Sequence, residues 1–320
     1  MVRIASSDVS DSDINVGSWT RRRRRAKLLV LGAAITVVAL FLLDSLTGLA
    51  FHTSADASVI VTEARAATVS EALVVFPGYA ADGLEVSEAF EPYLREDQAM
   101  IVLRYAQRGV DDGEIYRLVI DRLRVLAPRR VRILGGSLGG MVAVRFLARY
   151  ADSPERSRFG DVVLVLDTVP SDPANVRRPR AIFSLSSWYR GGPISSGVWA
   201  LVSRFGSRPG LEAGASQAVV DQGNRSNACI GMPALTTQAA YLGSFSSGEI
   251  RGIGDVVQRA TYLEAESPQD DPLIRVNASI SDWKKGLPEL AVVTIATRMG
   301  SWHLPWTYRP RETLDAVNAA

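Results

Sequence analysis

The segment GGSLGG, residues 135–140, lies between two stretches whose apolar residues repeat with different periods. Before it, residues 130–134, RVRIL, alternate between polar and apolar and end in an apolar pair, which predicts a buried β-strand. After it, apolar residues recur near the helical period over residues 138–150, which predicts a helix packed against a sheet. Ser137 is therefore expected at a strand-to-helix turn that is crowded with glycines.

Such a turn suits a nucleophilic serine because a serine lifted off the end of a strand requires a sharp change of chain direction. Bulky side chains two residues before and two residues after Ser137 would clash, and Gly135 and Gly139 remove that clash. Backbone N–H groups at the start of the following helix can receive a developing negative charge. A glycine-rich turn that contains an incidental serine is the alternative interpretation.

The pattern G-x-S-x-G over residues 135–139, with a strand before it and a helix after it, resembles the nucleophile elbow of the α/β-hydrolase superfamily. The resemblance implies an α/β fold with a mostly parallel central sheet and helices on both faces. It covers about residues 70–168 and 258–305, and it makes Ser137 the expected nucleophile. The residues between these two parts show no resemblance that helps to identify a substrate.

Length and composition restrict the class of protein. The chain has 320 residues, of which 47% are hydrophobic and 22% are charged, values typical of a globular protein with one large α/β domain or two small ones. A net charge of +2 gives no electrostatic argument for binding nucleic acid. The single cysteine, Cys229, excludes an intramolecular disulfide, and no spacing of Cys and His predicts a structural metal site.

The N-terminal segment is first polar and then basic, with five consecutive arginines at positions 21–25 and Lys27 after them. Residues 1–27 hold too few apolar side chains to form a core, and they are expected to be a disordered tail. The uncharged run LLVLGAAITVVALFLL follows at residues 28–43, and Asp44 ends it. A cluster of arginines beside an apolar run favours the cytoplasmic side of a membrane.

The apolar run predicts a transmembrane signal-anchor over residues 28–51. As a helix it covers about 24 Å, which is shorter than a hydrocarbon core of about 30 Å. Lys27 can reach outward to the interface, and residues 45–51 can prolong the span. The rest of the chain would then lie outside the cytoplasm, attached to the cell membrane by this single pass. A cleaved signal peptide that releases a secreted protein is the alternative, with small residues at 48 and 50 or at 55 and 57 as cleavage sites.

Apolar strands alternate with helical patterns through the rest of the chain, which predicts a parallel sheet covered on both faces. The predicted core comprises residues 71–168 and 256–320, after a spacer at residues 52–70 in which a first strand is expected near residues 58–63. Residues 169–255 are rich in Gly, Ser and Pro and show no clear strand-helix alternation. This stretch is predicted to be a cap, or lid, inserted over the carboxyl edge of the sheet. The other predicted strands are residues 72–76, 99–103, 161–167, 260–265 and 290–296, and the other predicted helices are residues 84–94 and 113–126.

Only two histidines, His52 and His303, could serve as the base for Ser137. His303 follows the last predicted strand, and α/β hydrolases carry their catalytic histidine in a loop at this point. A neutral imidazole there could accept the serine proton and return it to a leaving group. His52 adjoins the membrane segment, so His303 is favoured over it. A structural histidine in a tryptophan-rich loop is the alternative for His303.

The acid that would orient the histidine has three candidates. Asp271 is the first choice, because the superfamily's acid loop resembles residues 261–274 and its acid is commonly followed by a short apolar stretch. Asp270 is the second choice, and Asp167 competes because some members of the superfamily carry their acid after the strand that follows the elbow. The order Ser137, Asp271, His303 agrees with the superfamily's chain order. Ordinary turn chemistry is the alternative for an Asp-Asp-Pro sequence.

The resemblance also implies an oxyanion hole with two backbone donors. One is the N–H of Leu138, and the other comes from the loop after the strand that ends at Phe76. Many relatives have His-Gly in that loop, whereas this chain has Pro77 followed by Gly78 and Tyr79. Gly78 allows close approach of the backbone, and the Tyr79 N–H is the expected second donor.

These observations predict a membrane-anchored, exported serine hydrolase that cleaves an acyl ester in the manner of a carboxylesterase or lipase. Ser137, His303 and Asp271 would form its catalytic triad, and the substrate would be a small acyl compound or a lipid. No metal or organic cofactor is implied. An acyltransferase or thioesterase with the same triad, or an exported binding protein of this fold without activity, is the alternative.

Overall fold

The computed structural model describes residues 13–51, 56–106, 109–177, 181–189, 191–205, 231–296, 303–307 and 309–320. Two residues discussed above, His52 and Cys229, lie outside these ranges. The description of the fold that follows concerns the described residues.

The centre of the fold is a seven-stranded sheet with the order β1-β3-β2-β4-β5-β6-β7. All neighbouring strands are parallel except β1 and β3, which are antiparallel. The prediction of a mostly parallel α/β sheet is therefore confirmed. The strands are β1 (Ser58–Thr62), β2 (Glu71–Phe76), β3 (Gln98–Arg104), β4 (Arg130–Gly136), β5 (Asp161–Asp167), β6 (Arg259–Ala265) and β7 (Ala291–Ile295).

Helices connect the strands and cover both faces of the sheet. They are α1 (Asp13–Phe51), α2 (Gly83–Phe90), α3 (Asp112–Leu126), α4 (Leu138–Ala151), α5 (Ala181–Ser186), α6 (Pro193–Phe205), α7 (Met232–Ser244), α8 (Val276–Gly286) and α9 (Pro310–Ala319). Short 3₁₀ helices cover Glu91–Tyr93, Pro154–Ser157, Pro173–Asn175, Ser247–Ile253, Pro268–Asp270 and Pro305–Thr307.

Side chains of alternate strand residues enter two separate hydrophobic clusters, one on each face of the sheet. In β2, Val74 and Phe76 pack with α3, α4 and α8, whereas Leu73 and Val75 pack with α2 and α9. Every residue of β2 is buried, as expected for a central parallel strand covered on both sides. Arg132 in β4 is buried and pairs with the Glu71 carboxylate at 2.9 Å.

The sheet register places the ends of three strands together at one edge. Gly136 of β4 lies opposite Asp167 of β5, which in turn lies opposite Leu263 of β6. Ser137, which follows β4, and Thr168, which follows β5, therefore lie side by side. This carboxyl edge is where ligands bind in open α/β sheets.

One part of the predicted organisation differs from the structure. Residues 13–27, expected to be disordered, belong to α1, because arginine has a high helix propensity and the adjoining apolar helix removes the cost of nucleation. The first strand, expected near residues 58–63 within the spacer, is β1 at the edge of the sheet, where it pairs with β3.

Helix α1 contains one segment, Arg23–Thr47, that is long and apolar enough to cross a membrane. It has 25 residues, and its most apolar 18 residues have a mean hydropathy of 2.5 and are not buried against the rest of the protein. A helix of this length spans about 37 Å, which exceeds a hydrocarbon core of about 30 Å.

The described residues between β5 and β6, which include the helices α5, α6 and α7, are called the cap. The cap contacts α1 through Asp44, whose side chain is 3% exposed. The Tyr189 hydroxyl donates to Asp44 Oδ2 at 2.7 Å, and the Ile194 N–H donates to Oδ1 at 2.8 Å. Because Ile194 belongs to the first turn of α6, Asp44 satisfies an N–H group that the helix itself leaves unpaired. The ring of Phe41 stacks on Tyr189 with the ring centres 4.0 Å apart.

Replacing Asp44 by alanine should loosen the cap. The substitution removes a buried acceptor for three donors, the Tyr189 hydroxyl and the N–H groups of Ile194 and Ser195, and a hydrogen bond to a charged group is worth about 1.5–3 kcal/mol. We expect limited proteolysis of the full chain in detergent micelles to cut the cap of Asp44→Ala at least about tenfold faster than that of the native chain. Thr47→Ala is the matched control, because within the described ranges the Thr47 hydroxyl donates only to carbonyls of its own helix. Equal cleavage rates for the two variants would show that Asp44 does not hold the cap.

Candidate active site

Ser137 occupies a strained turn between β4 and α4. Its backbone has φ 49° and ψ −117°, in the half of the Ramachandran map that residues other than glycine rarely adopt. Two hydrogen bonds hold the turn: Ser137 N–H donates to Asp167 O at 2.9 Å, and Gly140 N–H donates to Ser137 O at 3.1 Å. The residue is 6% exposed and lies at the carboxyl edge of the sheet.

The two glycines that flank Ser137 are required for different reasons. A Cβ atom on Gly139 would lie 1.8 Å from the carbonyl oxygen of Phe76, so α4 packs against the end of β2 with no room for a side chain. A Cβ atom on Gly135 would lie 2.5 Å from Gly140 Cα. The sequence predicted a clash around the serine, and the structure shows that half of this crowding comes from the neighbouring strand.

His303 and Asp271 form a nearly buried pair. His303 Nδ1 lies 3.0 Å from Asp271 Oδ2, and the two side chains are 10% and 1% exposed. Asp271 Oδ1 accepts the N–H groups of Leu273 and Ile274, each at 2.8 Å. The carboxylate is thus fixed by its own turn and faces one ring nitrogen. A carboxylate at Nδ1 favours the tautomer that leaves the lone pair on Nε2.

The two buried carboxyl groups near His303 have opposite pKa shifts. Burial alone would raise the pKa of Asp271, but the charge of His303, its hydrogen bond and the two backbone N–H groups hold that pKa below its ordinary value. Burial raises the pKa of Asp167 to about 7, against the opposing influence of His303. Asp271 is therefore the carboxylate that remains ionised beside the imidazole at neutral pH, and Asp167 retains its proton over part of that range.

Asp167 is fully buried and lies at the edge of β5, next to the serine turn. One of its oxygens accepts the Thr168 hydroxyl at 3.3 Å, and its second oxygen has no hydrogen-bond partner in the described part of the chain. Asp167 is thus close to the pair of His303 and Asp271 without a direct hydrogen bond to the imidazole among these residues.

Thr168 supports the histidine loop, a role that the sequence analysis missed. Its hydroxyl oxygen accepts the N–H of Leu304 at 3.0 Å, and Leu304 directly follows His303. Thr168 has φ 46°, and its own N–H donates to Leu263 O at 3.1 Å. The position of Thr168, directly after the strand next to the elbow, was the available indication, but nothing in the sequence shows which loop it would contact.

The predicted oxyanion donors lie on two sides of Ser137. Leu138 is the first residue of α4 and is fully buried, and the N–H of a first helical residue has no acceptor within its own helix. Gly78 approaches from the loop after β2, where an added Cβ atom would lie 3.4 Å from Ser137 Cβ. Tyr79 follows in a turn closed by a 3.2 Å hydrogen bond from Ala81 N–H to Gly78 O.

The cap reaches this turn through Gln238 of α7. Its side-chain oxygen accepts the Ala80 N–H at 2.9 Å, and Ala80 has φ 59°. Because Ala80 adjoins Tyr79, the position of the cap is linked to the position of the predicted second donor. Tyr79 itself is 41% exposed.

The structure brings most of the predicted site residues together. Asp271 contacts His303, and the side chain of Leu304 and Ser137 both lie next to Gly78. No hydrogen bond between the Ser137 hydroxyl and His303 is present in the described structure. Asp270, the second choice for the acid, ends a 3₁₀ turn with its side chain exposed. Across the described ranges, no group of three or more His, Cys, Asp or Glu side chains could hold a metal ion.

Comparison with known proteins shows similarity at the level of the fold. No protein-family model matches the sequence, and no curated protein sequence matches it significantly. A carboxylesterase from Nitrososphaera gargenis superposes with a TM-score of 0.60 at 13% identity, over 83% of this chain and 95% of that one. The enol-lactonase from Burkholderia xenovorans superposes with a TM-score of 0.58 at 14% sequence identity, over 84% of this chain and 98% of that one. MenH from S. aureus superposes with a TM-score of 0.57 at 13% sequence identity, over 82% of this chain and 97% of that one. The chain therefore has the α/β-hydrolase fold.

Adding one methyl group to Gly139 should disrupt the turn. Since a Cβ atom would lie 1.8 Å from a backbone oxygen, either α4 or β2 must move. We expect Gly139→Ala to lower the free energy of unfolding by about 3 kcal/mol or more. Gly197→Ala in α6 is the control, because its Cβ atom would meet nothing within 4 Å and alanine favours a helix. Denaturant titration followed by circular dichroism would measure both, and a native-like midpoint for Gly139→Ala would contradict the packing described here.

The buried Asp167 should make stability depend on pH. The folded state binds its proton more tightly than the unfolded chain does, because the pKa is about 7 in the fold and ordinarily 3.8. The stability that this group contributes is therefore complete below the ordinary pKa and is lost as the pH rises towards 7. We expect the free energy of unfolding of Asp167→Asn, relative to that of the native chain, to increase as the pH rises. The increase between about pH 5 and about pH 8 should be on the order of 2 kcal/mol.

Asp161→Asn is the control for this experiment, since Asp161 lies at the opposite end of the same strand and is exposed. Denaturant unfolding at several pH values would compare both variants with the native chain. A difference between Asp167→Asn and the native chain that does not change with pH would show that Asp167 has no raised pKa.

Proposed function

We propose that this chain is a membrane-anchored serine hydrolase that cleaves a carboxylic ester through an acyl-enzyme intermediate. One observation carries the proposal: Ser137 is held at a positive φ between a strand and a helix, at the same sheet edge as a buried pair of His303 and Asp271. In the proposed enzyme the hydrolase core comprises the sheet with its flanking helices, and residues 169–255 form the cap.

In the proposed mechanism, Ser137 Oγ attacks the ester carbonyl and His303 Nε2 accepts the serine proton. Asp271 stays ionised and stabilises the imidazolium. The negative oxygen of the tetrahedral intermediate accepts hydrogen bonds from the N–H groups of Leu138 and Tyr79. The ester C–O bond then breaks, and the leaving alcohol takes the proton from His303. Water repeats these steps on the acyl enzyme and releases the carboxylic acid and the free serine.

Two further residues support this chemistry in the proposal. Thr168 positions the histidine loop through Leu304, so the imidazole returns to one place after each proton transfer. Asp167, protonated over part of the neutral range, adds less negative charge beside the imidazole than a second carboxylate would. Asp271 then sets the orientation of the ring.

The membrane attachment is proposed from α1. The arginines at positions 21–25 favour a cytoplasmic N-terminus, which places the sheet and the cap on the outer side. Retention of the helix is favoured over cleavage, because residues 48–50 lie inside α1 and Asp44 is bonded to the cap. Removal of α1 would leave the Tyr189 hydroxyl and the Ile194 N–H without this acceptor.

Labelling with a fluorophosphonate probe tests the proposal, since the probe reacts covalently with an activated serine. We expect the native chain to be labelled and Ser137→Ala to be unlabelled. His303→Ala and Asp271→Asn should slow labelling by at least about 100-fold, because each removes a member of a cooperating unit. Hydrolysis of a soluble p-nitrophenyl ester should follow the same order.

Asp270→Asn is the matched control for Asp271→Asn, because the two residues are adjacent and only Asp271 contacts His303. It should be labelled like the native chain. A folded native chain that remains unlabelled would overturn the hydrolase proposal. Equal losses in Asp270→Asn and Asp271→Asn would overturn the assignment of the acid.

A further inference from the structure

Helix α6 carries its apolar residues on the outside. Ile194, Val198 and Leu201 are spaced to lie on one side of the helix and are 51%, 58% and 61% exposed. Ser195 and Ser196 face the protein instead and are partly buried. A helix on the surface of a water-soluble protein has the opposite arrangement, so this side of α6 is not built to face water.

Exposed apolar side chains at the end of α5 enlarge this surface. Leu185 and Trp188 are 42% and 58% exposed, and the Trp188 ring lies 5.6 Å from that of Phe41 in α1. We define the cap face as Leu185, Trp188, Ile194, Val198 and Leu201. It adjoins α1 at two points, since Ile194 also donates its N–H to Asp44. The cap face therefore continues the exposed apolar surface of the membrane-spanning candidate.

The contact with Asp44 fixes the height of the cap face relative to a bilayer. A span of about 30 Å needs about 20 helical residues, which from Leu28 reach Thr47. Asp44 then lies about 4.5 Å inside the outer boundary of the hydrocarbon. The first turn of α6 shares this depth because it is hydrogen-bonded to Asp44. The Asp44 carboxylate is shielded there by Tyr189 and the backbone of α6 rather than exposed to lipid.

Composition around the contact fits the same location. Phe41, Trp188 and Tyr189 form a ring cluster at this height, and Trp and Tyr concentrate at membrane interfaces. Residues 181–205, which include α5 and α6, contain two arginines and no Asp or Glu. Such a segment is attracted to anionic headgroups and is not repelled by them.

We propose that the cap face lies at the boundary between the headgroups and the acyl chains of the outer leaflet, fastened to the membrane helix by Asp44, and that Ser137 acts on an acyl ester dissolved in that bilayer. The second part rests on the proposed function. Hydrogen bonds lead from the cap face towards the site: Met232 N–H of α7 donates to Ser196 Oγ at 3.1 Å, and Gln238 of α7 holds Ala80 beside the predicted oxyanion donor. A bilayer-resident ester would thus be presented on the side of the protein that carries the cap.

Fluorescence quenching by lipid tests the position of the cap face. Because the chain has one cysteine, Cys229→Ser provides a background in which a single new cysteine can carry a fluorophore. Val198→Cys reports on the cap face, and Val125→Cys, an exposed valine of α3, is the matched control. The labelled full chain is reconstituted into vesicles of phosphatidylcholine and phosphatidylglycerol that contain brominated acyl chains.

We expect lipid bromine to quench the label at position 198 at least about fivefold more than the label at position 125. Equal, weak quenching at both positions, with access of aqueous iodide to both, would overturn the proposal. Protection of position 198 from iodide without quenching by lipid would also overturn it, since a second copy or another segment of the chain would then cover the cap face.

Activity measurements test the second part. In the native Cys-containing chain, Val198→Asp should lower hydrolysis of a phospholipid ester in vesicles about tenfold and leave hydrolysis of a soluble short-chain ester unchanged, because a charge disfavours only the membrane-docked cap. Val125→Asp should change neither rate. Equal effects of Val198→Asp on both substrates would overturn the bilayer-resident substrate. A native chain inactive on both substrates would refute the proposed function, while the quenching result would still decide the position of the cap face.

Discussion

The strained backbone of Ser137 is the constraint on which the rest of the site depends. A residue at φ 49° persists only if its surroundings fix it more strongly than the strain opposes it. Here the pairing of Gly136 with Asp167 sets the register of β4 against β5. The hydrogen bond from Ser137 N–H to Asp167 O continues that pairing one residue beyond the strand. The approach of Gly139 to Phe76 then allows α4 to begin at once. The sheet thus specifies where the serine lies.

Two carboxyl groups at the same edge of the sheet differ in their hydrogen bonding. Asp271 and Asp167 are both buried, but two backbone N–H groups and the imidazole compensate Asp271, whereas one oxygen of Asp167 has no hydrogen-bond partner among the described residues. A buried charge without such compensation takes up a proton instead. The difference in their surroundings therefore gives one anion beside His303.

Sequence patterns predicted the elements that depend on local periodicity. The strands β2 to β7, including β5 at residues 161–167, and the helices α2, α3 and α4 follow from apolar runs and their spacing, whereas α8 and α9 were not predicted. The resemblance of residues 261–274 to an acid loop placed Asp271 ahead of Asp270, and in the structure Asp271 Oδ2 lies 3.0 Å from His303 Nδ1. The helical conformation of residues 13–27 was not predicted, because composition alone indicated disorder and the neighbouring apolar helix supplied the nucleus.

Contacts between distant parts of the chain could not be predicted in this way. Thr168 and Leu304 are separated by 136 positions, and Asp44 and Tyr189 by 145, so no period in the sequence relates them. Asp44 was noted only as the residue that ends an apolar run. The pairing of its carboxylate with the first turn of α6 depends on where the cap packs, which is a property of the whole fold.

The interaction of Asp44 with α6 also gives a physical reason for a carboxylate so close to the end of a segment that is long and apolar enough to cross a membrane. An acidic residue at that depth costs free energy unless it has partners, and the unpaired N–H groups of a helix start together with a tyrosine hydroxyl are suitable partners. The donors of the cap, the Tyr189 hydroxyl and the Ile194 N–H, in turn require an acceptor, which Asp44 provides. Because α7 connects α6 to the turn at Ala80, the contact between Asp44 and α6 is continuous, through hydrogen bonds, with the backbone next to Ser137. Helix α1 and the site are therefore parts of one packed unit.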